Sequence, residues 1–199
     1  MNAKNFTLTD GTKIHVNMMQ SLNRILPYAE NDKFHVVSIP YLNKQYEFIL
    51  ILPKNEPKVG YKNLKKLTFE RLNNDLLSQL KYQKVDLKIP KFTLESKIKL
   101  NDAFTDLGMK MAFTDLAECA DTKVRYFINS IFQMAKIVVD EKGGDLAPQA
   151  APVMKCACAC CCFQPLAPQI YADHPFAFLI RNAKTGTIIL NGFVKDPSL

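Results

Sequence analysis

Five of the six cysteines of this 199-residue chain fall within seven positions: Cys156, Cys158, Cys160, Cys161 and Cys162, spaced by Ala157 and Ala159. Thiolates at one-residue spacing are soft ligands of the kind that take Cu(I) or Zn(II). A closed tetrahedral zinc site usually draws on separated ligand pairs, and this run has no histidine beside it. Disulfides fit no better, because a covalent framework staples distant segments and adjacent cysteines meet disulfide geometry poorly. Reactive thiols are a third reading, with Lys155 as the one neighbouring cation that favours a thiolate. The fourth is a variable loop tip, or an artefact of the gene model, and it is the one adopted: no metal ligand is assigned and no cofactor is expected. Cys119 stands alone and reads as a small apolar packer. His15 and His35 sit in extended runs, and His174 precedes Pro175 where it anchors a strand start. No Ser-His-Asp grouping or phosphate loop has useful spacing, so no catalytic residue is assigned and no enzyme is expected.

The cysteines lie in a long unpatterned stretch, residues 143–176. It holds Gly143, Gly144, Asp145, Leu146, Ala147, Pro148 and Pro152, then Lys155 and the cysteines, and has neither a helical nor a strand period. Strongly patterned strands flank it. A loop of this length inside a domain is uncommon, and such loops are usually functional or disordered.

The flanking elements read as strands with a few short helices. Residues 6–9 and 14–19 form a hairpin across Asp10 and Gly11. Residues 34–39 and 46–52 form a second, the latter strand nearly all apolar and buried on both faces until Pro53 ends it. Apolar spacing from Leu64 to Leu80 predicts two short helices divided at Asn73, Asn74 and Asp75, with Asn74 or Asp75 as N-cap. Strands are expected over 85–89 and 92–98, a helix from Leu100 to Leu107 with Gly108 after it, and a helix over Tyr126–Ala135 leading into a strand at 136–139. Strands at 176–181 and 187–193 close the chain around a turn at Lys184, Thr185 and Gly186. The composition, 48% hydrophobic, suffices for one domain or for part of a larger one. The net charge of +7 is spread over single lysines such as Lys62, Lys65 and Lys66, a solvated surface rather than a nucleic-acid stripe. No apolar run reaches 18 residues, so no membrane partner is expected, and residues 1–11 carry no secretory segment.

Several stretches together resemble the serpins, the serine-protease-inhibitor family. Residues 171–181 from Tyr171 to Arg181, followed by 184–192 from Lys184 to Gly192, are similar to the family's C-terminal signature. Residues 85–96 also resemble it, as do Leu107, Gly108 and Met109; Asp10 and Gly11 followed by 16–19; Ile39, Pro40 and Tyr41; and residues 49–54. Asp140, Glu141, Lys142 and Gly143 look like the acidic start of a reactive-loop hinge. The resemblance spans the whole chain but only about the C-terminal half of a serpin. It implies an α+β, β-dominated fold: a partial serpin domain over 1–199, lacking the N-terminal helices and several strands of the central sheet, with an exposed reactive-centre loop at 143–170.

The resemblance further implies a suicide substrate. A serine-type endopeptidase, or alternatively a cysteine-type one, attacks the loop and forms an acyl-enzyme, and the cut loop inserts as a new strand of the large sheet. The hinge is assigned to Glu141, Gly143, Gly144, Asp145, Ala147 and Pro148. Counting from both ends places the scissile bond among Lys155, Cys156, Ala157, Cys158, Ala159, Cys160 and Cys161. Small side chains there suit an elastase-like or cysteine-protease pocket better than a trypsin-like one. The implied setting is the extracellular space, with the intracellular one open, and the implied state is a monomer where the full fold is present. Against insertion stand Pro148 and Pro152, which have no N–H to give to a central strand, and the bulk of Leu146. The flanking strand for an insert belongs to the half without a counterpart here. The alternatives are a non-inhibitory serpin-derived binding or regulatory module and a Zn- or Cu-binding cysteine loop.

Overall fold

Asp10 and Gly11 make the turn expected of them. Gly11 adopts φ +90°, a conformation costly for residues with a Cβ. The Asp10 carboxylate accepts the Thr12 N–H at 2.9 Å. The strands it joins are β1 (Asn2–Thr7) and β2 (Lys13–Glu30). The computed structural model describes residues 2–67, 72, 76–114, 127–141 and 167–198. β2 runs well past Met19, where the apolar alternation weakens. A register shift between Ser21 and Arg24 carries it on, with Asn23 at φ +53° and its N–H held by the Asp86 carboxylate at 2.8 Å. Such a bulge lets one strand bend and serve different neighbours along its length.

β3 (Phe34–Pro40) and β4 (Tyr46–Pro53) form the second hairpin, and β4 is buried from Phe48 to Pro53. β5 (Lys81–Pro90) alternates as the sequence requires, with Val85, Leu87 and Ile89 buried. β6 (Phe92–Lys99) follows it, then β7 (Phe132–Val139), β8 (Gln169–Tyr171), β9 (Phe176–Asn182) and β10 (Ile188–Val194). The chain divides into two units. The first, Met1–Phe92 with Val139–Leu199, holds an eight-stranded sheet in the order β10-β9-β4-β3-β2-β5-β8, with β1 also on β2. All its pairings are antiparallel except β5 with β8. The second, Thr93–Val138, contains the pairing of β6 with β7 and a helix over Asn101–Asp106, which ends at Gly108 with φ +103°. The fold is α+β and β-dominated. No helix among the described residues is long and apolar enough to cross a membrane.

Two expected helices differ from those observed. The first, α1, spans Pro57–Lys65 and ends where the sequence reading began. Proline suits the first turn of a helix, where its missing N–H has no partner to lose. Packing then fixes the position: Leu64 is buried, and a Cβ on Gly60 would lie 2.7 Å from the Pro53 side chain. Of the later stretch, Leu77–Gln79 forms a single 3-10 turn, while the proposed break at 73–75 lies outside the described residues. The second correction concerns Tyr126–Ala135. Residues 127–131 are not helical, and Phe132–Val139 is strand throughout. From Met134 onward exposed and half-buried side chains alternate, which is the strand period.

Candidate functional site

The described residues stop at Glu141 and resume at Ala167. Of the hinge residues assigned above, Glu141 is described, and Gly143, Gly144, Asp145, Ala147 and Pro148 lie outside the described residues, as do Lys155 to Cys161 and Cys119. The site is therefore built from the two ends that hold the 143–170 segment.

At the leading end, Glu141 follows β7 by two residues, and its Oε1 lies 2.6 Å from the Lys91 ammonium. Lys91 is fixed in turn, because its N–H donates to the Asn17 carbonyl of β2 at 2.9 Å. The hydrogen bond from Lys91 holds the Glu141 carboxyl below the usual carboxylate range. The pair is solvent-exposed, so it marks a position more than it adds stability.

At the trailing end the attachment is through backbone. The Asp86 N–H donates to the Pro168 carbonyl at 3.0 Å, and the Ala172 N–H to the Lys88 carbonyl at 2.9 Å. Between them β8 runs parallel to β5, pairing Leu87 with Ile170, both buried. The Thr7 N–H donates to the Asp173 carbonyl at 2.7 Å. His174 bridges the Pro53 carbonyl at Nε2 and the Asp173 carboxylate at Nδ1, each at 2.8 Å, and so ties the approach to β9 onto the end of β4. That is the anchoring role its place before Pro175 suggested. His35 packs against Tyr28, whose hydroxyl lies 2.6 Å from Nδ1.

β9 continues from the trailing end into a closely packed set of aromatic contacts. Phe178 of β9 stacks on Phe48 of β4 with centroids 5.5 Å apart, and Phe176 meets Phe92 edge-on at 5.8 Å. Gly192 of β10 lies against the Phe178 ring, where a Cβ would come within 2.9 Å of two ring carbons. Glu47 of β4 stands opposite Arg181 of β9, accepting the Arg181 Nε–H at 2.5 Å and the Ser38 hydroxyl at 2.5 Å. The turn from β9 to β10 closes on Asn182, whose Oδ1 accepts the N–H groups of Lys184 and Thr185.

Sequence reasoning missed Lys91, the Glu47–Arg181 pair and β8. The first two join residues far apart in the chain and have no local signal. β8 is three residues long, and its parallel pairing carries no turn motif that announces it.

Comparison with known proteins places these features in one family. The model of the family described as Serpin (serine protease inhibitor) matches residues 1–197. Neuroserpin of Gallus gallus is 31% identical over 203 residues, covering 96% of this chain and 47% of that protein. Iripin-8 of Ixodes ricinus is 30% identical over 90% of this chain and 45% of its own length. Serpin B11 of Homo sapiens is 28% identical over 96% and 49%. The chain spans about half the length of these curated relatives.

Proposed function

The chain belongs to the serpin family, and from that premise we propose that it meets a serine-type endopeptidase, or a cysteine-type one, as a suicide substrate through the 143–170 segment. The enzyme's nucleophile attacks a carbonyl carbon within Lys155–Cys161. The peptide C–N bond breaks, the C-terminal fragment leaves as an amine, and the N-terminal part remains as an acyl-enzyme. The segment after Glu141 then adds as a strand beside β7 before water hydrolyses the acyl bond. The chain supplies the bait and the movement and contributes no catalytic group. In this reading the enzyme it meets is extracellular, with an intracellular one as the alternative.

The observation that carries this reading is the anchoring. The segment leaves β7 at Glu141, which pairs with Lys91, and re-enters as β8, held by β5. Among the described residues β7 pairs with β6, and the reading requires the inserted strand to add on the opposite edge of β7. A second reading, cleavage without trapping, is favoured by Pro148 and Pro152. Each removes one donor from the ladder that the insert must form. The two outcomes compete, and the prolines slow the insertion branch, so hydrolysis takes the larger share.

The test incubates the protein, as its full transcript encodes it, with elastase-, trypsin- and cathepsin-type enzymes, followed by denaturing gels. A cleaved band in excess over an SDS-stable complex is expected. Pro148→Ala with Pro152→Ala shifts the ratio toward complex. No complex in either form with any of the enzymes removes the inhibitor reading and leaves the substrate one.

A further inference from the structure

A cleft on β1, β5 and β8 gathers two lysines that form no ion pair among the described residues. It is lined by Lys4, Asn5, Met18, Lys88, Tyr171 and Asp173 and has a volume of about 400 Å³. Lys88 stands opposite Tyr171 in the register of β5 with β8, and its ammonium lies 3.8 Å from the centroid of the Tyr171 ring. A cation held over an aromatic face is attracted to it, so Lys88 is restrained from swinging out to solvent. Lys4 of β1 approaches Lys88 closely enough that hydrogen-bond contact and charge repulsion from Lys88 hold the Lys4 ammonium below the usual lysine range. Among the described residues neither lysine lies within ion-pair distance of a carboxylate. Asp173, the one acidic residue in the lining, has its Oδ1 engaged by His174 Nδ1 at 2.8 Å.

Two like charges brought together by three strands form a site that an anion completes. We propose that this cleft binds a tetrahedral oxyanion, a phosphate or sulfate group, between the Lys4 and Lys88 ammoniums with the Asn5 amide as a further donor. A doubly charged oxyanion gains from both cations at once, whereas chloride or a single carboxylate gains less. The lining residues lie outside the proposed bond region Lys155–Cys161, and anion binding needs neither cleavage nor insertion, so the site is tested separately from the protease reading.

The test titrates the chain with inorganic sulfate and, in a separate arm at pH 8, with inorganic phosphate. Sodium chloride keeps the ionic strength constant, and the backbone amide signals of residues 4, 5, 88 and 171 are followed by NMR. Saturable shifts confined to these residues are expected in at least one arm, and the arm that saturates at lower concentration names the source. Lys4→Gln, a change at an exposed position, is expected to weaken binding at least five-fold, and Lys88→Gln likewise. Shifts that follow ionic strength without saturating, or an affinity unchanged by Lys4→Gln, overturn the proposal.

Discussion

Truncating Glu47 to alanine tests whether the pairing of β4 with β9 is held by a largely buried charge. Glu47 and Arg181 face each other across β4 and β9, with side chains 12% and 14% exposed. Ser38, the only buried polar residue among those described, gives its hydroxyl to the same carboxylate. Glu47→Ala therefore strands a guanidinium and a hydroxyl at once. Breaking a buried pair from one side costs about 3–5 kcal/mol, and an unsatisfied buried hydroxyl about 1–3 kcal/mol more. The cavity left behind and the residual exposure of Arg181 admit water, which brings the expected loss to about 3 kcal/mol. With a urea slope of about 2 kcal/mol/M, the unfolding midpoint falls by about 1.5 M. Adding Arg181→Met removes the uncompensated charge, so the double variant is more stable than Glu47→Ala alone. A midpoint change below about 0.5 M for the single variant, or a double variant less stable than it, refutes the reasoning.

Three further outcomes follow from named contacts. Gly192→Ala drives a Cβ into the Phe178 ring, which Phe48 backs, and lowers stability by about 1–3 kcal/mol in the same urea titration; Phe178→Leu in that background recovers part of the loss. The Glu141 carboxyl titrates below the ordinary glutamate value because of Lys91, so its contribution is present above the unfolded value and is lost as pH falls through the folded one. Carboxyl NMR is expected to show the low midpoint, and Lys91→Met to raise it. His35 is held below the usual histidine range first by burial and then by the Lys54 cation, against the pull of Glu30. The unfolded chain thus takes up its proton first as pH falls, and stability drops below about pH 6.5; imidazole NMR and urea midpoints at pH 7.5 and 5.5 check it.

The parts of the fold legible in the sequence are those whose signal is local. Asp10 and Gly11 announce a turn because few other residues accept φ +90° there, and the apolar run of β4 announces burial on both faces. Misread elements are those that tertiary packing decided. α1 begins at Pro57 because Gly60 must pass close to Pro53, a contact that no helical period records. Phe132, Met134 and Val138 carry apolar side chains into solvent in this structure, so the strand face of β7 does not separate from a helical stripe by hydropathy alone. At the candidate site the motif residues were readable, but their partners were not. Glu141 was singled out, yet its partner Lys91 lies fifty positions earlier, with its N–H held by the Asn17 carbonyl, and no local signal links the two.

The central claim is that an endopeptidase acylates itself on the 143–170 segment. Intact mass spectrometry of the denatured reaction mixture measures that directly. The account predicts a covalent species with the mass of the enzyme plus residues up to a bond within Lys155–Cys161, the C-terminal peptide having left, as a minor product beside the two hydrolysed fragments, and a larger share of it after Pro148→Ala with Pro152→Ala. An uncut chain, or fragments that end elsewhere with no covalent species from either form, contradicts it.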